Sequence, residues 1–157
     1  LIPAAPNPKA ALLHFRTFLR DLFQRLDWVE QLSSLERPEV LSALAQLLGV
    51  SDFLWEDFLR LQYANLFPVL CDIADLRQFK GRKEFELEWN EILAKCSTAE
   101  ERRVRLNEFK DRELFRIDMR HILGHSGGIE GFGNEMTCLA EIVVAAAVSF
   151  CESELQS

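Results

Sequence analysis

His121 and His125 stand four residues apart, the spacing at which two imidazoles on one helical face can hold a metal ion. The glutamate of a His-Glu-x-x-His site is missing, and Gly124 between them is placed to end the helix. Histidines at a helix C-terminus interact favourably with the last carbonyls in any case, so a structural role is expected. His14 lies among apolar residues with no cysteine or carboxylate at ligand spacing, and reads as a histidine on the boundary of a core. The glycines of SGGIEGFG, Ser126 to Gly133, invite comparison with a phosphate-cradling loop. Such a loop needs a lysine-serine or lysine-threonine pair after it, or a strand before it. Neither is present, and a flexible helix connection is the expectation.

Carboxylates are plentiful, as in Glu56 and Asp57 or Glu84, Glu86 and Glu88, but on helices they alternate sides and read as solvated faces. No general acid and base pair can be named from them. Arg102, Arg103, Arg105, Arg112, Arg116 and Arg120 suggest an anion-binding stripe, yet Glu101, Glu108, Asp111, Glu113 and Asp118 are interleaved at pairing distances. Pairs such as Glu108 with Arg112, each worth roughly a few tenths of a kcal/mol, account for the stripe without a ligand. No catalytic, cofactor-binding or metal-binding residue is assigned, and no cofactor is expected in this chain.

The elements that must position these residues are helical. Three prolines in the first eight residues make 1–8 an extended lead-in. From Lys9, the steps Leu12, Phe15, Leu19, Leu22 and Leu26 describe one face of an amphipathic helix that Trp28, Val29 and Leu32 extend. Pro38 suits the first position of a second helix carrying Leu41, Leu44, Ala45 and Leu48, and Gly49 suits a left-handed C-cap. Ser51 opens a third helix with Phe53, Leu54, Phe58 and Leu61 inward, which Pro68 breaks or kinks before Val69, Leu70, Ile73 and Leu76. After Gly81 a fourth places Phe85, Trp89, Ile92 and Leu93 on one stripe.

Thr98 and Glu101 then form a capping box at the head of a long helix running to about His121. In it Phe115 and Ile117 point about 200° apart, so the helix must pack on two sides. A last helix from about Asn134 to Leu155 is apolar nearly all round through Ile142 to Val148, as suits the middle of a bundle. No sustained alternation or Asn-Gly hairpin turn predicts a strand. The expected fold is all-α: an irregular bundle of about six helices, the two long C-terminal ones central, in a single domain over 9–157.

Composition agrees. At 157 residues, 48% hydrophobic and 27% charged, the chain has the length and apolar surface for one packed core. A net charge of −7 argues against nonspecific nucleic-acid or anionic-membrane binding, both of which need a dense basic patch. Cys71, Cys96, Cys138 and Cys151 include no Cys-x-x-Cys pair, and reduced, mostly buried thiols are the simpler reading than zinc or disulfides. No basic-then-apolar leader is present, and the apolar run Ile142–Val148 is short of the roughly 20 residues of a membrane span. A cytoplasmic protein with no membrane or nucleic-acid partner is expected.

The stretch FKDRELFRIDMRHILG, Phe109 to Gly124, followed by MTCLAEIVVAAAV, Met136 to Val148, resembles one family closely. It is similar to the helical region upstream of the nucleotidyltransferase domain in the glutamine synthetase adenylyltransferase and adenylyl-removing enzymes (glutamate-ammonia-ligase adenylyltransferases). The matching positions are Phe109, Lys110, Arg116, Ile117, Leu139, Ala140 and Glu141. Gly49 to Leu70 likewise resembles the family's earlier S-x-F-L segment, here Ser51 to Leu54, and the likeness runs in patches from Gly49 to Glu152.

The resemblance implies a parent protein that uses ATP and magnesium to attach AMP to a tyrosine of glutamine synthetase, or removes it by phosphorolysis, under the PII protein. Its catalytic signature, a Gly-Gly or Gly-Ser turn with an Asp-x-Asp, supplies two carboxylates for the metal. No Asp-x-Asp occurs here, and the nucleotidyltransferase domain would follow Ser157. The segment is expected to be a scaffold for that domain, its first partner, with glutamine synthetase and PII as further partners by resemblance. Arg116 and Glu141 sit in largely apolar helices and would need partners if buried; pairing with each other or with neighbouring charges is the expectation. The alternative reading is a free-standing helical protein-interaction module with no enzymatic role.

Overall fold

The computed structural model describes residues 5–24, 37–49 and 73–155. Among them all regular structure is helical: α1 (Pro8–Leu22), α2 (Pro38–Leu48), α3 (Ile73–Arg77), α4 (Arg82–Leu93), α5 (Ala99–Ile122) and α6 (Ile129–Leu155). The all-α class expected from the sequence is the one observed. Where the sequence suggests a single domain from residue 9, contacts gather into two compact units, Leu1–Arg77 and Gln78–Ser157. The third helix expected from Ser51, the extension through Leu32, and Cys71 lie outside the described residues.

In the first unit α1 packs on α2. Asn7 caps α1 through Oδ1, which accepts from the Ala10 amide at 3.2 Å, and Pro8 occupies the first turn. The buried side of α1 is that of Ala11 and Phe18, about 100° away from Leu12, which is exposed. This helix is apolar on more than one face, and on the side that turns in His14 Nδ1 donates to the Leu48 carbonyl at the end of α2, 2.8 Å away. The boundary position expected for His14 is thus a tether. Val40, Leu44, Leu47 and Leu48 are buried on α2. Gly49 ends that helix, but at φ −94° rather than in the left-handed region. Its small size is needed for another reason: a Cβ there would come within 2.9 Å of the Ala5 Cβ.

The second unit is three helices joined by short connections, which fold neighbours back on one another. Phe85 and Trp89 of α4, Leu106, Phe109 and Ile117 of α5, and Leu139, Ile142 and Ala146 of α6 make one core. Trp89 lies against Phe109 and Phe150, with ring centroids 5.8 and 6.1 Å away. Thr98 caps α5 by accepting from the Glu101 amide at 3.1 Å, while Glu101 reaches past Thr98 to accept from the Ser97 amide at 2.8 Å. Phe115 and Ile117 are both fully buried, so α5 is covered on two sides as its sequence requires.

The last helix departs from expectation at both levels. It begins at Ile129, not Asn134, so Gly131 and Gly133 lie inside it and only Gly124, Gly127 and Gly128 serve the turn, each with positive φ. Only part of its apolar circumference is covered: Ile142 and Ala146 face the core, whereas Val144 and Val148 are exposed. By length and composition Ile129–Ser153 could also cross a membrane, which the seven-residue run alone does not suggest.

Candidate functional site

The charged residues of α4, α5 and α6 converge in the second unit on a buried ion network. Arg116 stands at its centre. Its Nε donates to Glu113 Oε2 at 2.7 Å, its Nη2 to Glu135 Oε1 at 2.5 Å, and its Nη1 to the Gln78 carbonyl at 3.3 Å. All of its nitrogens are thus engaged, and the guanidinium lies 5.8 Å from the centre of the Phe85 ring. Glu135 also accepts from Arg120 Nε at 2.9 Å and from the Lys80 amide at 3.1 Å. Glu113 accepts in addition from Arg112 Nε at 2.9 Å and from the Lys80 ammonium at 3.3 Å.

Opposite charges alternate inside: the buried Lys80, Arg116 and Arg120 face the buried Glu113 and Glu135, and at the rim the half-buried Glu88, whose Oε1 is 2.7 Å from Lys80, and the half-buried Arg112 complete the network. Such matching is what keeps buried ions charged. Burial by itself would push Glu113 up, but Lys80, Arg116 and Arg112 outweigh it and hold the carboxyl below its ordinary value. Burial likewise opposes the charge on Lys80, and Glu113 and Glu88 raise it nonetheless. The same contest raises Arg116, with Glu113 and Glu135 as its partners.

The residues singled out from sequence fare differently. Arg116 is buried and partnered as required, but not by Glu141, which is exposed and accepts from Arg82 of α4 at 2.9 Å. Arg112 does not pair with Glu108; it turns to Glu113 and Glu88, and Glu108 accepts from Arg105 at 2.8 Å instead. Glu88 is therefore half-buried and ion-paired rather than part of a freely solvated face. His121 and His125 do not share a helical face, because α5 ends at Ile122 and Gly124 reverses the chain at φ +79°. Arg120 fixes that reversal: its carbonyl accepts from the His125 amide at 2.7 Å, and its Nη2 donates to the His125 carbonyl at 3.1 Å. Of the thiols, Cys96 and Cys138 are half-buried and Cys151 is exposed, fewer buried than expected.

His121 and Ser126 come within 2.9 Å, Nδ1 to Oγ, which has the outline of a base beside a nucleophile. The hydrogen bonds run the other way. Ser126 Oγ gives its proton to the Gly128 carbonyl at 3.1 Å, so His121 Nδ1 must donate to it. The hydroxyl is buried and held as a turn constraint, with the imidazole packed on Phe132 at 4.7 Å between centroids. Asp118, one turn before His121, is half-buried, and burial pushes its carboxyl up to about 6, with His121 pulling the other way. Among the described residues no group of three or more His, Cys, Asp or Glu is placed to hold a metal ion.

Lys80, Glu113, Arg120 and Glu135 were not distinguishable from surface charges by spacing alone. The lack of any lysine or arginine in α6 applies equally to Glu130, Glu141 and Glu152, which are exposed, and so does not single out Glu135.

Fold and network together define an all-α protein whose polar interior ties helices to one another. A family model described as glutamate-ammonia ligase adenylyltransferase matches residues 41–156, and the chain belongs to that family. No curated protein and no solved structure matches it.

Proposed function

We propose that this chain is the helical scaffold that precedes a nucleotidyltransferase domain, in a cytoplasmic protein that regulates glutamine synthetase by attaching or removing AMP on a tyrosine. The observation that carries this reading is the closure of the Arg116 network: its carboxylates accept from Lys80, Arg112, Arg116 and Arg120 and are engaged in joining α5 to α6 and to the Gln78–Lys80 segment. A rigid support is what such an interior provides, since buried, fully bonded charges resist rearrangement. ATP and magnesium then bind in the catalytic domain, and glutamine synthetase and PII are met by the whole protein.

The exposed apolar side of α6 fits a domain-bearing scaffold and equally a free-standing interaction module. Reading the gene beyond Ser157 separates the two. A Gly-Gly or Gly-Ser turn followed by Asp-x-Asp is the expected finding, and a stop codon directly after Ser157 would favour the free-standing module.

A further inference from the structure

Gln78 to Gly81, through which the chain enters the second unit, form no regular structure, yet side chains hold their backbone in place. The Gln78 carbonyl accepts from Arg116 Nη1 at 3.3 Å, the Lys80 amide donates to Glu135 Oε1 at 3.1 Å, and the Gly81 amide donates to Glu84 Oε2 at 3.0 Å. Phe79 is exposed and Lys80 buried, so this entry segment lies as a strap along the ion network.

The turn between α5 and α6 is held in the same manner. Arg120 Nη2 donates to the His125 carbonyl at 3.1 Å, and the His125 amide donates to the Arg120 carbonyl at 2.7 Å. The buried Ser126 hydroxyl accepts from His121 and donates to the Gly128 carbonyl.

Glu135 joins the two. Its Oε1 takes the Lys80 amide, and its Oε2 takes Arg120 Nε at 2.9 Å, while Nη2 of the same guanidinium reaches the turn. Strap backbone, carboxylate, guanidinium and turn backbone are thus connected in series through two planar groups of fixed geometry. Both side chains are buried, and neither can turn to water when a contact is lost. If the turn opens, Arg120 loses the His125 carbonyl that orients it, and the carboxylate that fixes the Lys80 amide loses an anchor. A close-packed, hydrogen-bonded interior passes such a displacement on, because it has no slack to absorb it.

We propose that the strap and the α5–α6 turn open and close as one element, coupled through Glu135 and Arg120, so that whatever orders the turn also tightens the entry segment. By reciprocity, a pull on the strap loosens the turn. This conformational device goes beyond the scaffold reading and needs no residue outside its own unit.

Amide hydrogen exchange of the full 157-residue chain tests it. Ser126→Ala, made in the turn, should speed exchange of the Lys80 amide about threefold, and Glu84→Ala, made at the strap, should do the same for His125. The Ile117 and Leu139 amides should be unmoved in both, which separates local opening from a general loss of stability. Arg120→Lys keeps the charge but offers one nitrogen where the guanidinium offers two to separate acceptors. In that background Ser126→Ala should leave Lys80 unchanged, and Glu84→Ala should leave His125 unchanged. Acceleration confined to the substituted end would overturn the coupling. Equal acceleration at Ile117 would overturn it as well, since the unit would then open only as a whole. Coupling that persists in Arg120→Lys would overturn its assignment to Glu135 and Arg120.

Discussion

Arg116 and Glu135 face each other across α5 and α6 at 2.5 Å, both almost wholly removed from solvent. Neither has water to fall back on. The pair ties α5 to α6 in the interior, with Arg116 held also by Glu113 and Glu135 also by Arg120.

Removing one partner should cost far more than removing a surface charge. Arg116→Met or Glu135→Gln is expected to destabilise the protein by about 3–5 kcal/mol, read as a lower midpoint in urea. The double variant should lose less than the sum of the singles, since each single already breaks the shared contact. By contrast Arg105→Ala, which breaks an exposed pair with Glu108, should leave the midpoint almost unchanged.

Two carboxyls should pull the pH dependence of stability in opposite directions. Glu113 is held below its ordinary 4.5, so its contribution is present above that value and is lost as pH falls through its folded value. Asp118 is raised from 3.8 to about 6, so the folded state holds the proton more tightly and stability falls as pH rises between those values. Asp118→Asn should therefore stabilise the protein at pH 7, by about 1 kcal/mol after allowance for solvent around the half-exposed group, and flatten the curve between pH 4 and 6. Denaturant midpoints across pH 3 to 8 for both proteins check this.

The two glycines inside α6 should respond with opposite signs. A Cβ on Gly131 would lie 1.8 Å from the Ser126 carbonyl oxygen, so Gly131→Ala must push apart the turn that His121 and Arg120 hold. Nothing lies within 4 Å of a Cβ on Gly133, and Gly133→Ala should stabilise by about 0.5–1 kcal/mol through helix propensity. Thermal melts of the two variants against the parent distinguish them.

Loss of the Thr98 cap should be felt at the head of α5. Thr98→Ala removes the acceptor for the Glu101 amide and is expected to cost about 1 kcal/mol. Faster amide exchange at Glu100 to Arg102 with little change at Ile117 would locate the effect.

Local signals were legible where a single rule governs. The α2 start at Pro38, the α4 stripe of Phe85 and Trp89, the Thr98 cap and the two-sided burial of α5 all follow from periodicity and caps. What escaped depended on partners remote in sequence. Which of two apolar faces of α1 is buried depends on its packing against α2, where His14 reaches Leu48, 34 residues away. Arg112 pairs with Glu113 beside it and with Glu88 on α4 rather than with Glu108 one turn before it. Arg116 could be flagged as needing partners, but its partner Glu135 stands on another helix, and a helical period assigns a residue to a face without saying what that face meets. The exposure of Val144 and Val148 was hidden for the same reason, since an all-round apolar pattern does not say which side remains uncovered.

The proposed scaffold role has this chain support AMP transfer without performing it. Incubating glutamine synthetase with magnesium and ATP labelled in the α-phosphate tests it, first with the 157-residue chain alone and then with that chain joined to the nucleotidyltransferase domain of a family enzyme. Label is predicted on glutamine synthetase only in the second case, and less of it when the joined protein carries Glu135→Gln. Labelling by the chain alone would contradict that role.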